Sequence, residues 1–171
     1  MLDYLFRFFF KYPLLLFRQE EKKFRNISAE SGPVFARHFP ARGMALGDYD
    51  NDGRADVLVA NNGKPPLLLR NNAGTENHWV GLRLAGARCN RDAVGARLSW
   101  SIGGVRHSRL KTSGGSYLSS HDPRVILGLG PAIKLDWLEV KWPGSGGAVE
   151  RFTEVPVDRH LTITEGKGLG K

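Results

Sequence analysis

Asp48, Asp50, Asp52 and Asp56 place four carboxylates in nine residues, with Gly53 at the sixth position, and β-like apolar runs at 44–47 and 55–60 flank them directly. Carboxylates crowded within a few ångströms repel one another and lose hydration when the loop is ordered, so a local counter-ion is expected. Calcium takes six to eight oxygens, and alternate loop positions one, three and five converge on it when a glycine permits the sharp turn. Asp48, Asp50, Asp52 and Asp56 are therefore assigned as side-chain ligands of Ca2+, with Arg54 contributing its main-chain carbonyl at position seven. An EF-hand would need Glu at position twelve, where Val59 stands, and a helix on each side. Magnesium prefers a tighter octahedron and keeps more of its water. The plain alternative is an exposed acidic turn, because Asp, Asn and Gly also dominate ordinary turns; these need one or two such residues rather than four in register.

The rest of the chain shows no apolar period of 3.6 over a helix-length window, and its 21 Gly, 9 Pro and two Met fit many turns and few long helices. Short strands are read at 44–47, 55–60, 66–70, 78–84, 96–102, 105–112, 125–129, 135–140, 150–152 and 161–164. Val80, Leu82 and Leu84 alternate with Trp79, Gly81 and Arg83, as in a half-buried strand. Gly103-Gly104 gives the clearest two-residue hairpin. The small polar stretch 73–77 is the best domain boundary. Seven strands after it predict a β-sandwich or barrel-like domain. A length of 171 residues fits one ordinary domain or two small ones and excludes a large multidomain enzyme.

Residues 1–18 are apolar but are broken by Asp3, Arg7, Lys11 and Pro13, so they fit neither a membrane-spanning helix nor a secretory signal. Strands at 14–17 and 24–27 about a turn at 19–22 suit a chain that begins inside a larger architecture. The single Cys89 excludes an internal disulfide framework, and the net charge of +8 is spread along the sequence. Ser119, Ser120, His121 and Asp122 have the residue types of a triad, yet sequence neighbours seldom converge as one. Gly128-Leu129-Gly130-Pro131 lacks the third glycine of a dinucleotide loop, and the five histidines show no metal spacing. These readings favour a protein that is not an enzyme.

The run from Arg42 to Val59 resembles an FG-GAP (VCBS-type) repeat, the calcium-bearing blade unit of integrin-like β-propellers, and residues 14–18 and 24–32 resemble the end of a preceding repeat. Asn77-His78-Trp79, Asn90, Gly95-Ala96-Arg97, Ser113-Gly114-Gly115-Ser116-Tyr117, Gly128-Leu129-Gly130 and Trp142-Pro143-Gly144 resemble the ASPIC/UnbV domain, which follows such repeats in bacterial secreted proteins and cartilage acidic proteins. The resemblance implies an all-β chain: an irregular segment 1–13, a partial β-propeller at 14–73, and a β-sandwich-like ASPIC/UnbV domain at 74–171. It also implies a noncatalytic, calcium-binding adhesion or interaction module, extracellular or at the cell surface. About one and a half repeats cannot close a propeller, so the open blade edges are expected to pair with missing blades or another copy. The alternative function is carbohydrate or polyanion binding by the later domain, with Tyr117, Ser119 and His121 as candidate binding residues, tryptophans 79, 100, 137 and 142 as stacking faces, and Arg83, Arg97, Arg106, Arg109 and Lys111 along an outer sheet face. Core packing of the tryptophans is the competing expectation. Protein or glycan partners are expected, nucleic acid is not, because no reader motif accompanies the charge.

Overall fold

The computed structural model describes residues 11–74, 76–144 and 146–170, and its described part is all-β. Of the expected irregular segment 1–13, residues 1–10 lie outside the described residues. Strand β1 (Tyr12–Pro13) pairs with β4 (His38–Phe39). Between them, β2 (Phe17–Glu20) and β3 (Lys23–Asn26) form a hairpin whose turn is Glu21-Lys22, followed by 3-10 turns at Ser28–Glu30 and Pro33–Ala36. The first strand begins three residues later than the expected 14–17, while the second lies within a residue of the expected 24–27 and the turn falls inside 19–22. In this register Glu20 meets both Arg18 and Arg25, at 2.5 and 2.9 Å.

Strands β5 (Ala41–Gly47), β6 (Asp56–Asn61) and β7 (Leu67–Leu69) make an antiparallel sheet in that order. Its register puts Met44, Leu46, Val57, Val59, Leu67 and Leu69 on one face, and Ala45, Leu58 and Leu68 on the other. Of these, Val59 alone is fully buried, while Leu58 and Leu68 remain nearly half exposed. Both faces of the sheet are therefore apolar and carry exposed side chains, Met44 and Leu46 on one and Leu58 and Leu68 on the other. No closed barrel or propeller forms among the described residues.

The remaining strands are β8 (His78–Ala85), β9 (Arg97–Ile102), β10 (Val105–Leu110), β11 (Val125–Gly130), β12 (Trp137–Lys141), β13 (Val149–Phe152), β14 (Arg159–Thr164) and β15 (Gly168–Gly170). They form two four-stranded sheets, ordered β10-β9-β12-β13 and β11-β8-β14-β15, with β14 running parallel to β8. Val80, Leu82, Leu84, Leu127 and Ile163 of the second sheet meet Leu98, Trp100, Leu138 and Val140 of the first in one buried cluster. Each fully buried Val or Leu contributes roughly 1.5–3 kcal/mol, so this interface dominates the stability of the chain. The two-residue alternation expected of β8 is what turns its valine and leucines inward. Gly103 and Gly104 both have positive φ and join β9 to β10, as a tight primed turn requires.

Glu165, just after β14, anchors the segment that follows β8. Its Oε2 accepts hydrogen bonds from the main-chain N–H groups of Ala87, Arg88 and Cys89 at 3.0, 2.7 and 2.9 Å. Those donors favour the charged form and hold its carboxyl at about 2. Cys89 lies at the same spot, where burial, reinforced by the Glu165 charge, pushes its thiol up. Among the described residues no helix is long and apolar enough to cross a membrane.

Candidate metal centre

Gly47 and Asp56 are opposite each other in the β5–β6 register, so residues 48–55 form the loop at that end of the sheet. Main-chain donors shape it. Asp48 Oδ1 accepts from the N–H of Asp52 at 3.0 Å and Oδ2 from that of Gly53 at 2.9 Å. Asp56 Oδ2 accepts from Tyr49 N–H at 3.1 Å, and Oδ1 from Asn71 N–H at 2.8 Å, which ties down the segment after β7. Asp48 and Asp56 are only 1% and 2% exposed. Asn51 and Gly53 take positive φ, as a chain folding back over its own carboxylates must.

Asp48, Asp50 and Asp56 converge: each offers a carboxylate oxygen within 4.8 Å of the others. Asp50 Oδ2 stands 2.8 Å from Arg70 Nε, whereas its Oδ1 is buried with no hydrogen-bond partner. The adjacent Asp50 charge raises the Arg70 guanidinium above its ordinary value. Asp52 lies outside this trio. Its Oδ1 accepts from Arg54 N–H at 3.0 Å, and its Oδ2 pairs with the Arg54 guanidinium and lies 3.6 Å from Arg70 Nη2. Arg54 Nε donates to Asn71 O, so this side chain is taken up by its neighbours rather than directed at the three carboxylates. The donor set is all oxygen, which suits a hard cation, and the orphaned Asp50 oxygen is an acceptor such a cation would serve.

The outer face of the β11-β8-β14-β15 sheet carries this loop. Trp79, Gly81 and His160 share that face by register. A β-carbon at Gly53 would run into the Trp79 indole, and one at Gly81 into the His160 ring. Trp79 and His160 meet edge to face with ring centres 4.8 Å apart, and His160 Nε2 lies 3.1 Å from Asp48 Oδ2. Just before β11, Arg124 donates through Nη2 to Asp48 O and through Nη1 to Asn51 Oδ1, both at 2.6 Å. Asp122 fixes the same guanidinium from the other side at 2.5 Å, and this pairing raises Arg124 above its usual range. Burial works to raise Asp122, but the Arg124 hydrogen bonds outweigh it and hold the carboxyl below the usual carboxylate range.

Ser119 and His121 lie along the free edge of β5. Leu46 N–H donates to His121 Nδ1 at 3.2 Å, Asp122 N–H donates to Leu46 O at 2.8 Å, and a β-carbon at Gly43 would collide with Ser119 Oγ. The 117–122 segment thus covers a strand edge that otherwise invites pairing. Ser119 and Ser120 hydroxyls donate to the carbonyls of Tyr117 and His121, while the Tyr117 ring is exposed. Sequence reading does not find Arg70, Trp79, Asp122, Arg124 or His160 as parts of this centre. The one local signal is glycine at 81 within a strand, which marks a close approach.

Residues 86–170 match the family described as ASPIC and UnbV, and they form an ASPIC/UnbV domain. Asn90, Gly95 to Arg97, Ser113 to Tyr117, Gly128 to Gly130 and Trp142 to Gly144 fall inside the match, and Asn77 to Trp79 precede it. Strand β8, immediately before the match, lies between β11 and β14 in its sheet. No curated protein matches the chain.

Proposed function

We propose that the 48–56 loop binds calcium, and that the loaded loop clamps the three-stranded sheet to the ASPIC/UnbV domain in a noncatalytic, extracellular interaction module. The convergence of Asp48, Asp50 and Asp56, two of them nearly fully buried, carries this reading. Three carboxylates at that spacing repel strongly once partly desolvated, and Arg70 approaches one of them only. A dication relieves the repulsion and satisfies the unpartnered Asp50 Oδ1 together. Main-chain carbonyls and water complete the six to eight oxygens that calcium takes.

The β5-β6-β7 sheet is read as an FG-GAP-type unit because its acidic loop joins two adjacent strands and both faces are apolar. A noncatalytic role is supported at the 119–122 loop, where Ser119 and Ser120 hydroxyls bond carbonyls and His121 Nδ1 serves β5. Titration calorimetry of chelator-stripped protein tests the metal reading. One calcium per chain, with magnesium binding far more weakly, is expected; absence of calcium binding at millimolar ion overturns it.

A further inference from the structure

The two outer faces of the sandwich differ in kind. One carries the acidic loop. The other, on the β10-β9-β12-β13 sheet, displays Arg97, Arg106, Lys141 and Arg151 by register, all exposed, with Trp137 among them and Glu139 as the carboxylate of the same face. Asp136, at its corner, is occupied by Ser101 Oγ and Gly104 N–H at 2.7 and 2.8 Å. Strands lie about 4.8 Å apart, so the four cations root within roughly 15 Å of one another.

We propose that this face binds a sulfated polysaccharide, independently of the metal loop. Charge complementarity is the first ground: Glu139 pairs with Arg151 at 3.1 Å, and no salt bridge to Arg97, Arg106 or Lys141 is formed among the described residues. Preorganisation is the second. The Arg151 and Arg106 guanidinium groups sit 4.7 and 5.8 Å from the Trp137 ring centre. A stacked guanidinium keeps its in-plane N–H donors for an oxyanion and loses less freedom on binding than a mobile side chain. Nucleic acid fits less well, because single strands need open aromatic faces for successive bases and this face has one indole, already lined by arginines. The face of a four-stranded sheet is also broader than the α-helix or two-stranded ribbon that a major groove admits.

The test is heparin binding by the full chain, measured by calorimetry across a salt series. Wild type is expected to bind heparin more tightly than a single-stranded oligonucleotide of equal charge. Arg97→Gln with Arg106→Gln is expected to weaken heparin binding at least tenfold and to lower the log–log salt slope by about two, one per cation removed. Arg83→Gln, on the opposite sheet's outer face, is expected to leave binding unchanged. Both arginines are exposed, and an unchanged melting temperature checks that the double variant folds. Wild-type affinity in the double variant, an equal loss in Arg83→Gln, or equal affinity for the oligonucleotide overturns the proposal.

Discussion

His160 Nε2 lies 3.1 Å from Asp48 Oδ2 across 112 positions of sequence, so the first aspartate of the acidic loop is gripped by a strand of the sandwich as well as by its own loop. Asp48 also accepts from Asp52 and Gly53 N–H groups, and its carbonyl receives Arg124. The loop's shape and its attachment to the ASPIC/UnbV domain therefore depend on the same residue.

Asp50→Asn separates the metal from the scaffold. Asp50 leans on the half-exposed Arg70 and leaves one oxygen unpartnered, so without calcium the variant is expected within about 1 kcal/mol of wild type. With calcium, wild type gains stability by mass action and the variant does not. Thermal melts with calcium and with chelator read both effects, and an equal calcium-dependent rise in the two proteins refutes the ligand assignment.

Gly53→Ala tests the docking. Positive φ and the Trp79 indole both oppose a β-carbon there, and overpacking of this kind costs about 1–3 kcal/mol. Urea melts should show that loss, and Trp79 fluorescence should shift as its ring is pushed off the loop. Wild-type stability would mean that the indole yields freely.

Arg124→Lys keeps the charge but not the fork. The guanidinium serves Asp48 O, Asn51 and Asp122 together, which one ammonium does not reproduce. A loss of about 2 kcal/mol is expected from hydrogen bonds to a charged group, with a weaker calcium affinity in calorimetry. Full retention of both by the lysine variant counts against the bridge.

Glu165 gives the fold an acid dependence. Its folded value is about 2, against an ordinary 4.5, so its stabilising effect is complete above the ordinary value and drains away as pH falls toward about 2. Melts between those limits should fall more steeply in wild type than in Glu165→Gln. Parallel curves would show that the three N–H bonds do not set the carboxyl.

Much of the sandwich is legible in the sequence because its strands alternate. Val80, Leu82 and Leu84 point inward as their spacing predicts, and paired glycines mark the β9–β10 turn. Strand β15, which is Gly-Leu-Gly, escapes because three residues hold no alternation, and β1 and β4 are two residues each. The expectation that tryptophans fill the core holds for Trp100 and Trp142, but Trp79 holds the loop and Trp137 lies on an outer face. In the acidic loop, spacing brings Asp48, Asp50 and Asp56 together. It does not reveal that Arg54 and Arg70 draw Asp52 aside, because Arg70 reaches the loop only through the turn from β6 into β7. His160 and Arg124 are illegible for a related reason: their roles follow from β14 lying parallel and β11 antiparallel beside β8, pairings with no local signature.

None of the bonds made by Arg124, His160, Asp122 or His121 to the three-stranded sheet passes through the connecting residues 71–77. Proteolytic scission of that connector is consequently expected to be silent under native conditions: the two pieces co-elute as one noncovalent particle, and come apart only when the grip on the loop is dissolved.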